Sequence, residues 1–215
     1  GTHASMIIIP EMFNKTQITI DKIVRLIISS MIKRRIVGQK FGVVVVGEGI
    51  FHFLQDEDIA SSGITFDYDA HGHPELSEVS KAHVISKILK NRLKELNLDI
   101  ICRPVEVGYS LRCVDPSAFD LTYCTTLGIG VKKLYDEGHS GCMVAVNLEE
   151  EVIPVYLKDV EDEHGKIRTR LVNIDKEVVR QTLAENIYYL TAQDRSLARK
   201  WLADPEPFEY ERILG

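Results

Sequence analysis

A near-continuous run of apolar, mostly β-branched residues, Phe41–Val46 (FGVVVV), constrains the fold more than any other stretch of this sequence. Such a run is typical of a strand that is covered on both faces, as in a parallel sheet. Before it, apolar residues recur at helical spacing between Ile20 and Met31. Thr19 is the predicted N-cap of this helix, and Gly38 is its predicted stop. The helical spacing and the apolar run together predict a helix that is followed by a buried strand.

The neighbouring segments repeat this alternation of strands and helices. MIIIPEM (Met6–Met12) predicts a short buried strand, and apolar residues between Leu76 and Leu96 predict a second amphipathic helix. Next, RPVEVGYSLR (Arg103–Arg112) begins with apolar residues at every second position, which is typical of a strand. Residues 7–109 therefore predict strand, helix, strand, loop, helix and strand. This order favours an α/β layer fold with a mostly parallel sheet and right-handed crossovers.

The rest of the chain predicts another strand, a hairpin and further helices. In chain order these are a helix at Pro116–Glu137 ended by Gly138, a strand at 141–147, a hairpin of 152–160 with 167–174, a helix at 176–190, a short helix around Leu197 and Trp201, and a tail of uncertain order.

Charge and hydropathy limit the classes of function. The formal net charge of -6 argues against a nucleic-acid partner, whose binding proteins are usually basic. No apolar run approaches the roughly 20 residues that cross a bilayer, so we expect no membrane association. The opening GTHASM (residues 1–6) has no signal-peptide pattern, and we interpret it as a cloning remnant. The four cysteines form no CxxC pair, which favours reduced, buried thiols in a cytoplasmic protein and argues against a metal site.

Polar groups follow two of the predicted strands. Glu48 stands between two glycines after the FGVVVV strand, and Tyr109 and Arg112 follow the glycine at 108. Ligands of open α/β sheets bind outside the carboxyl ends of strands. An arginine fork matches phosphate oxygens, and a carboxylate accepts hydrogen bonds from sugar hydroxyls. These groups point to a phosphorylated polyol such as a sugar phosphate. The alternative, that they are solvated or structural strand-end residues, stays open on this pattern alone.

Longer motifs carry a family resemblance. RPVEVGYSLRCVDPSAFD, followed by LGIGVKKLYDEGHSGCMVAV, resembles the carboxyl-terminal part of phosphofructokinases. The Gly-Tyr-x-x-Arg form and HGHPELSEVSKAHVISKILKNRL are most similar to the long, pyrophosphate-dependent type, and IIIPE and KFGVVVVGEGI fall in the family's order. The resemblance covers most of residues 7–190. It implies a phosphofructokinase-like three-layer sandwich in which 7–112 belong to the fructose 6-phosphate domain, 113–150 complete the donor domain and 151–215 form a hairpin and helical region.

The resemblance also implies roles for individual residues. Glu48 would accept hydrogen bonds from the hydroxyls of fructose 6-phosphate. Tyr109 and Arg112 would contact its phosphate. Arg103 matches an arginine that reaches the 6-phosphate from a neighbouring subunit in related enzymes, so we expect a homo-oligomer. Whether Arg103 acts within its own subunit or across an interface stays open.

Other family motifs are absent from the chain. It lacks the Gly-Gly-Asp donor loop, the catalytic Thr-Ile-Asp-Asn-Asp loop and the Met-Gly-Arg substrate motif. Thr19-Ile20-Asp21 is interpreted as a helix cap, because Lys22 and a helical apolar stripe follow it. We therefore expect a carboxyl-terminal fragment with no catalytic residue of its own. Pyrophosphate and Mg²⁺ would be bound by the missing amino-terminal part of the longer enzyme. An ATP-dependent enzyme and a non-catalytic regulatory subunit remain as alternatives.

Two further features have competing interpretations. Lys33-Arg34-Arg35 reads as the solvated end of a helix, with an anion-binding patch as the alternative. Trp201 is expected to anchor a short helix, with stacking on a ligand as the alternative.

Overall fold

The computed structural model describes residues 4–13, 16–54, 58, 80–108, 113–147, 149–161, 172–186 and 189–214. The chain divides into two compact units, one comprising Gly1–Glu106 with Val172–Gly215 and the other Val107–Leu171. The architecture is mixed α/β, with a small parallel sheet in the first unit and an antiparallel pair in the second. Among the described residues, no helix is both long enough and apolar enough to cross a membrane.

The helices and strands have the following bounds in chain order: β1 Met6–Ile8, α1 Ile20–Ile36, β2 Val44–Val46, α2 Lys81–Glu95, α3 Ala118–Asp136, β3 Cys142–Val146, β4 Val152–Tyr156, α4 Leu157–Val160, α5 Glu177–Asn186, α6 Arg195–Ala198 and α7 Tyr210–Leu214, with 3-10 turns at Pro10–Phe13, Glu48–Phe53, Ala192–Asp194 and Glu206–Phe208.

The parallel sheet of the first unit joins β1 to β2. Met6 pairs with Val44 and Ile8 with Val46, and the intervening α1 makes this a strand–helix–strand unit. The hydroxyl of Thr19 accepts a hydrogen bond from the backbone N–H of Lys22 at 3.2 Å, as the sequence predicted for an N-cap. The predicted sequence of two strands around a helix is confirmed for this part of the chain.

Helix α1 lies at the centre of the first unit's core. Its buried residues lie on most sides and include Ser29 and Ser30, so the helix is covered almost all round. α2 packs against it, and the 3-10 turn at Glu206–Phe208, α6 and α7 pack there too. The most completely buried side chains of the unit are Phe13, Met6, Ile8, Ile23, Leu26, Ile28, Ile32, Ile50, Leu93, Leu190, Leu202 and Ile213.

Two residues that we had set aside as a cloning remnant take part in the sheet. Met6 is fully buried in β1, and the backbone N–H of Ser5 donates to the carbonyl of Val43 at 2.8 Å. The hydroxyl of Ser5 accepts the N–H of Val43 in return, at 3.1 Å. The strand predicted from Met6 is therefore confirmed, whereas leaving Ser5 out of the fold was wrong, because its backbone pairs with the residue before β2.

The carboxyl-terminal segment is anchored to α1, although the sequence left its order uncertain. The buried hydroxyl of Ser29 accepts the backbone N–H of Leu190 at 2.9 Å. The ammonium of Lys33 contacts both carboxylate oxygens of Asp194, at 2.7 and 2.8 Å. Further along, Arg195 makes a two-pronged contact with the carboxylate of Glu209, at 2.6 and 2.8 Å. These polar contacts fix the position of a segment whose apolar residues enter the core.

The ionic contacts of this segment shift the pKa values of their carboxyl groups. The hydrogen bond from Arg195 lowers the pKa of Glu209, and the charge of Arg195 adds to the effect. Burial raises the pKa of Asp194, but hydrogen bonds from Lys33 and Thr191 outweigh it and hold that pKa below its ordinary value. Both carboxyl groups are therefore kept ionised at neutral pH, which suits their ion pairs.

The second unit consists of α3 and the hairpin of β3 with β4. A capping box of Ser117 with Asp120 begins α3, and Gly138 follows its end at φ +81°, where a left-handed conformation favours glycine. β4 pairs with the preceding β3, a neighbour that the sequence did not predict for it. The prediction of a strand through residue 160 is wrong, because Leu157–Val160 forms a helical turn. The predicted pairing of 152–160 with 167–174 stays a prediction, since residues 162–171 lie outside the described part of the chain.

Gly130 provides the contact between α3 and the hairpin. A Cβ atom at this position would lie 2.7 Å from a methyl of Val144 and 2.8 Å from a methyl of Val152. Valine side chains are stiff at χ1 and cannot swing away freely. The helix can therefore approach the hairpin this closely only with glycine at this position.

We expect Gly130→Ala to lower the stability of the second unit, by about 1–3 kcal/mol for the overpacked contact less about 1 kcal/mol gained in helix propensity. Gly128→Ala is the matched control on the same helix, because a Cβ there would meet nothing within 4 Å. The control should stabilise the protein by up to about 1 kcal/mol. Urea unfolding followed by circular dichroism measures both changes, and equal shifts of the same sign would contradict the contact.

Much of the apolar surface of α3 is left uncovered. Only Gly130 and Leu134 of this helix are buried. A two-stranded hairpin is too small to cover a helix that is apolar on several sides. Its exposed apolar side chains are Phe119, Leu121, Tyr123, Ile129, Val131 and Tyr135, the last of them 79% exposed.

Candidate functional site

The candidate site begins at the edge where the two parallel strands end. Because β1 and β2 run in the same direction, their carboxyl ends lie at one edge of the sheet. The backbone N–H of Gly47 donates to the carbonyl of Ile8 at 2.8 Å, which extends the pairing one residue beyond β2. The 3-10 turn that follows starts with Glu48. The backbone of Glu48 therefore lies at the strand end, as the sequence predicted, whereas its side chain lies outside the described part.

Glu11 places a second carboxylate after the carboxyl end of a strand of this sheet. It lies in the 3-10 turn Pro10–Phe13, which follows β1 as the turn at Glu48 follows β2, and the two turns contact each other. One oxygen of Glu11 accepts the backbone N–H of Val172 at 2.9 Å. No role for Glu11 was predicted from the sequence, although an acidic residue directly after a predicted strand was the available signal. Its contact shows that it ties the returning chain to the sheet edge.

The segment that carries Arg103 is not a strand. Residues 101–108 form no ladder among the described residues, and the side chains of Ile101, Val105 and Val107 are 80%, 74% and 65% exposed. Cys102 packs against the core, and burial raises the pKa of its thiol. The prediction of a strand is therefore wrong for residues 103–108, because a strand needs a neighbour to hydrogen-bond with and no described residue provides one.

The remaining candidate residues have less structural support. Arg103 is exposed, in the segment without a strand. Tyr109 and Arg112 lie outside the described residues, so their roles remain predictions. The described residues also bring no three histidine, cysteine, aspartate or glutamate side chains together around a possible cation. The expectation of Mg²⁺ stays a prediction, since proteins hold this metal with one or two carboxylates together with the phosphates of a substrate.

Strand β2 is less covered than its sequence suggests. Residues 44–46 form the strand, whereas the prediction ran from residue 41. Phe41 is 81% exposed, and Val43 and Val45 are partly open as well. The expectation that both faces would be covered is therefore not met within the described residues. One face of the sheet is exposed at β2, the strand that precedes Glu48.

Comparison with known proteins identifies the relatives of this chain. No family model matches it. It is 31% identical over 186 residues to the pyrophosphate–fructose 6-phosphate 1-phosphotransferase of Naegleria fowleri, an alignment that covers 82% of this chain and 42% of the relative. It is 29% identical over 208 residues to the enzyme of that name from Thermotoga maritima, covering 94% and 47%. The beta subunit from Solanum tuberosum is 21% identical over 220 residues, covering 78% and 39%.

These relatives are phosphotransferases by name, and this chain is similar to them over most of its own length. More narrowly, the resemblance to the pyrophosphate-dependent phosphofructokinases is confirmed, because the named relatives match most of this chain. The chain spans less than half the length of these curated relatives.

Proposed function

We propose that this chain is the carboxyl-terminal, sugar-phosphate-binding part of a pyrophosphate–fructose 6-phosphate 1-phosphotransferase. The longer protein transfers phosphate from pyrophosphate to the 1-hydroxyl of fructose 6-phosphate and yields fructose 1,6-bisphosphate. The observation that carries this proposal is the 31% identity to a relative of that name over 82% of the chain. Glycolysis, the cytoplasm, Mg²⁺ dependence and a homo-oligomer are the setting that the family resemblance implies.

Within this proposal, the chain contributes the groups that hold the sugar phosphate. Glu48 accepts hydrogen bonds from the sugar hydroxyls, and the position of its backbone at a strand end supports that role. Arg112 and Tyr109 bind the phosphate through the guanidinium fork and the phenol hydroxyl. Arg103 adds a further cation, and its exposed side chain is free to reach a phosphate on its own or a neighbouring subunit.

The uncovered apolar surfaces support the view that the chain is one part of a larger protein. Soluble proteins rarely leave extended apolar patches open, and α3 exposes six large apolar side chains. Segment 101–108, which pairs with no strand among the described residues, exposes three more. In the longer relatives, additional strands and helices would cover these surfaces. The phosphofructokinase-like sandwich then forms when both parts are present.

The test is an assay of the longer protein that contains this chain, with pyrophosphate and ATP compared side by side as donors. Phosphorylation of fructose 6-phosphate with pyrophosphate, at least tenfold faster than with ATP, is expected. Preference for ATP would instead show an ATP-dependent enzyme. A protein that binds fructose 6-phosphate and phosphorylates it with neither donor would instead be a non-catalytic regulatory subunit.

A further inference from the structure

The 3-10 turn that carries Glu48 is buried on one side and open on the other. Ile50, two residues after Glu48, is 0% exposed, and Phe51 is 4% exposed. Gly49 is exposed, and a Cβ atom added to it would meet no described atom within 4 Å apart from its own chain neighbours. The turn therefore presents its Gly49 side to solvent and packs its Ile50 side into the core.

Backbone hydrogen bonds hold the chain on both sides of Glu48. Before it, the N–H of Gly47 donates to the carbonyl of Ile8 in β1 at 2.8 Å. After it, the N–H of Ile50 donates to the carbonyl of Gly47 at 3.1 Å, which closes one turn around Glu48. Because interiors are close-packed, the buried side chain of Ile50 cannot shift without leaving a void or a clash. Ile50 therefore limits the directions in which the backbone of Glu48 can move.

The neighbouring turn Pro10–Phe13 belongs to the same support. Phe13 is 1% exposed and lies in the same buried cluster as Ile50. The two turns also contact each other. A binding group works best when packing holds it within about 0.5 Å of its productive position. The core beneath the two turns can provide such support at this edge of the sheet.

We propose that Ile50 is a positioning residue for the sugar site, which keeps Glu48 in place to accept hydrogen bonds from the sugar hydroxyls. This role rests on the one that the proposed function gives to Glu48. The side chain of Ile50 has no exposed surface with which to contact a ligand, so it acts through the turn that it shares with Glu48. A loose turn would have to be ordered on binding, and the affinity for the sugar would fall by that cost.

Substitutions of different size at Ile50 test this role in the full 215-residue chain. In calorimetric titrations, Ile50→Ala should weaken binding of fructose 6-phosphate at least about fivefold, and Ile50→Val less, since the smaller cavity gives the turn less freedom. Ile50→Leu keeps the side-chain volume and should bind within about twofold of wild type. Inorganic phosphate should bind all variants equally, since a carboxylate recognises hydroxyls and not the anion. If Ile50→Ala fails to fold, wild-type affinity in the folded Ile50→Val variant overturns the role.

Ile32 provides a control with the same side chain and the same burial, 0% exposed. It lies near the carboxyl end of α1, which leads to the amino end of β2, whereas the turn of Glu48 follows the carboxyl end of that strand. Ile32→Ala should lower the unfolding temperature about as much as Ile50→Ala and leave the affinity for fructose 6-phosphate within about twofold of wild type. Equal losses of affinity in both variants would show a general effect of destabilisation and refute the positioning role.

A double-mutant cycle separates the role of Ile50 from that of Glu48. In a Glu48→Gln background, adding Ile50→Ala should change the affinity for fructose 6-phosphate less than about twofold, because the carboxylate that Ile50 positions is already gone. Losses that multiply would overturn the positioning role alone and leave Glu48 its role in binding. Wild-type affinity in a folded Glu48→Gln variant would overturn both, together with the assignment of Glu48 in the proposed function.

Discussion

The 215-residue chain alone is expected to transfer no measurable phosphate from pyrophosphate to fructose 6-phosphate. Phosphoryl transfer depends on positioning the donor and on neutralising its charge. The chain has no Gly-Gly-Asp donor loop and no Thr-Ile-Asp-Asn-Asp loop. Thr19-Ile20-Asp21 does not replace the latter, because Thr19 caps α1. A coupled assay for fructose 1,6-bisphosphate with the purified chain measures this activity, and we expect no turnover above background.

Adding the other part of the protein provides the positive control. If a longer protein contains this chain, its remaining segment produced separately and mixed with the chain should restore part of the turnover. Restoration would show that the missing loops, and not misfolding of this chain, cause the inactivity. Turnover that co-elutes with the chain alone through successive purification steps would show that its own residues suffice, and the assignment as a non-catalytic part would fail.

Local signals in the sequence predicted the helices well. Thr19 and Ser117 have caps that depend on residues three positions away, and Gly38 and Gly138 adopt the left-handed conformation that ends a helix. Such signals depend only on residues that are close in sequence, so they can be predicted from the sequence alone. The run at residues 44–46 likewise became a strand beside β1.

The errors concern contacts between distant parts of the chain. The alternating pattern at 101–108 suits a strand, but the described residues offer no neighbouring strand to pair with it. The pairing of β4 with β3 was not predicted, because periodicity identifies a strand without naming its partner. Docking of the last residues depends on Asp194 meeting Lys33, which is 161 positions away. Sequence spacing gives no sign of such a pair.

The candidate site shows the same division between local and distant information. The strand end at Glu48 followed from a local pattern of β-branched residues and glycines, and the backbone confirms it. The contact of Glu11 with the N–H of Val172 joins residues far apart in sequence, and it was missed. Likewise, Arg35 and Trp201 line one cleft, which combines a helix end with a distant segment.

Replacing Arg112 with glutamine is expected to weaken fructose 6-phosphate binding by about tenfold to a hundredfold. A charge-assisted hydrogen bond to phosphate is worth about 1.5–3 kcal/mol, and about 1.4 kcal/mol corresponds to one power of ten in affinity. Arg112→Lys keeps the positive charge but loses the planar fork. Its affinity for fructose 6-phosphate should therefore lie between those of the wild type and Arg112→Gln. Calorimetric titration at fixed ionic strength measures the dissociation constants, because salt screens such contacts.

The control variant must remove one positive charge at a site that does not contact the sugar phosphate. Arg92→Gln does this, since Arg92 lies on α2 and pairs with Glu95 at 2.7 Å on an exposed surface. It should leave the affinity for fructose 6-phosphate unchanged within about twofold. Glu48→Gln should weaken binding of the sugar while leaving binding of inorganic phosphate unaltered, since a carboxylate recognises hydroxyls and not the anion. If Arg112→Gln binds as tightly as wild type while the chain stays folded, the phosphate contact lies elsewhere, and the assignment of this arginine by family resemblance is wrong.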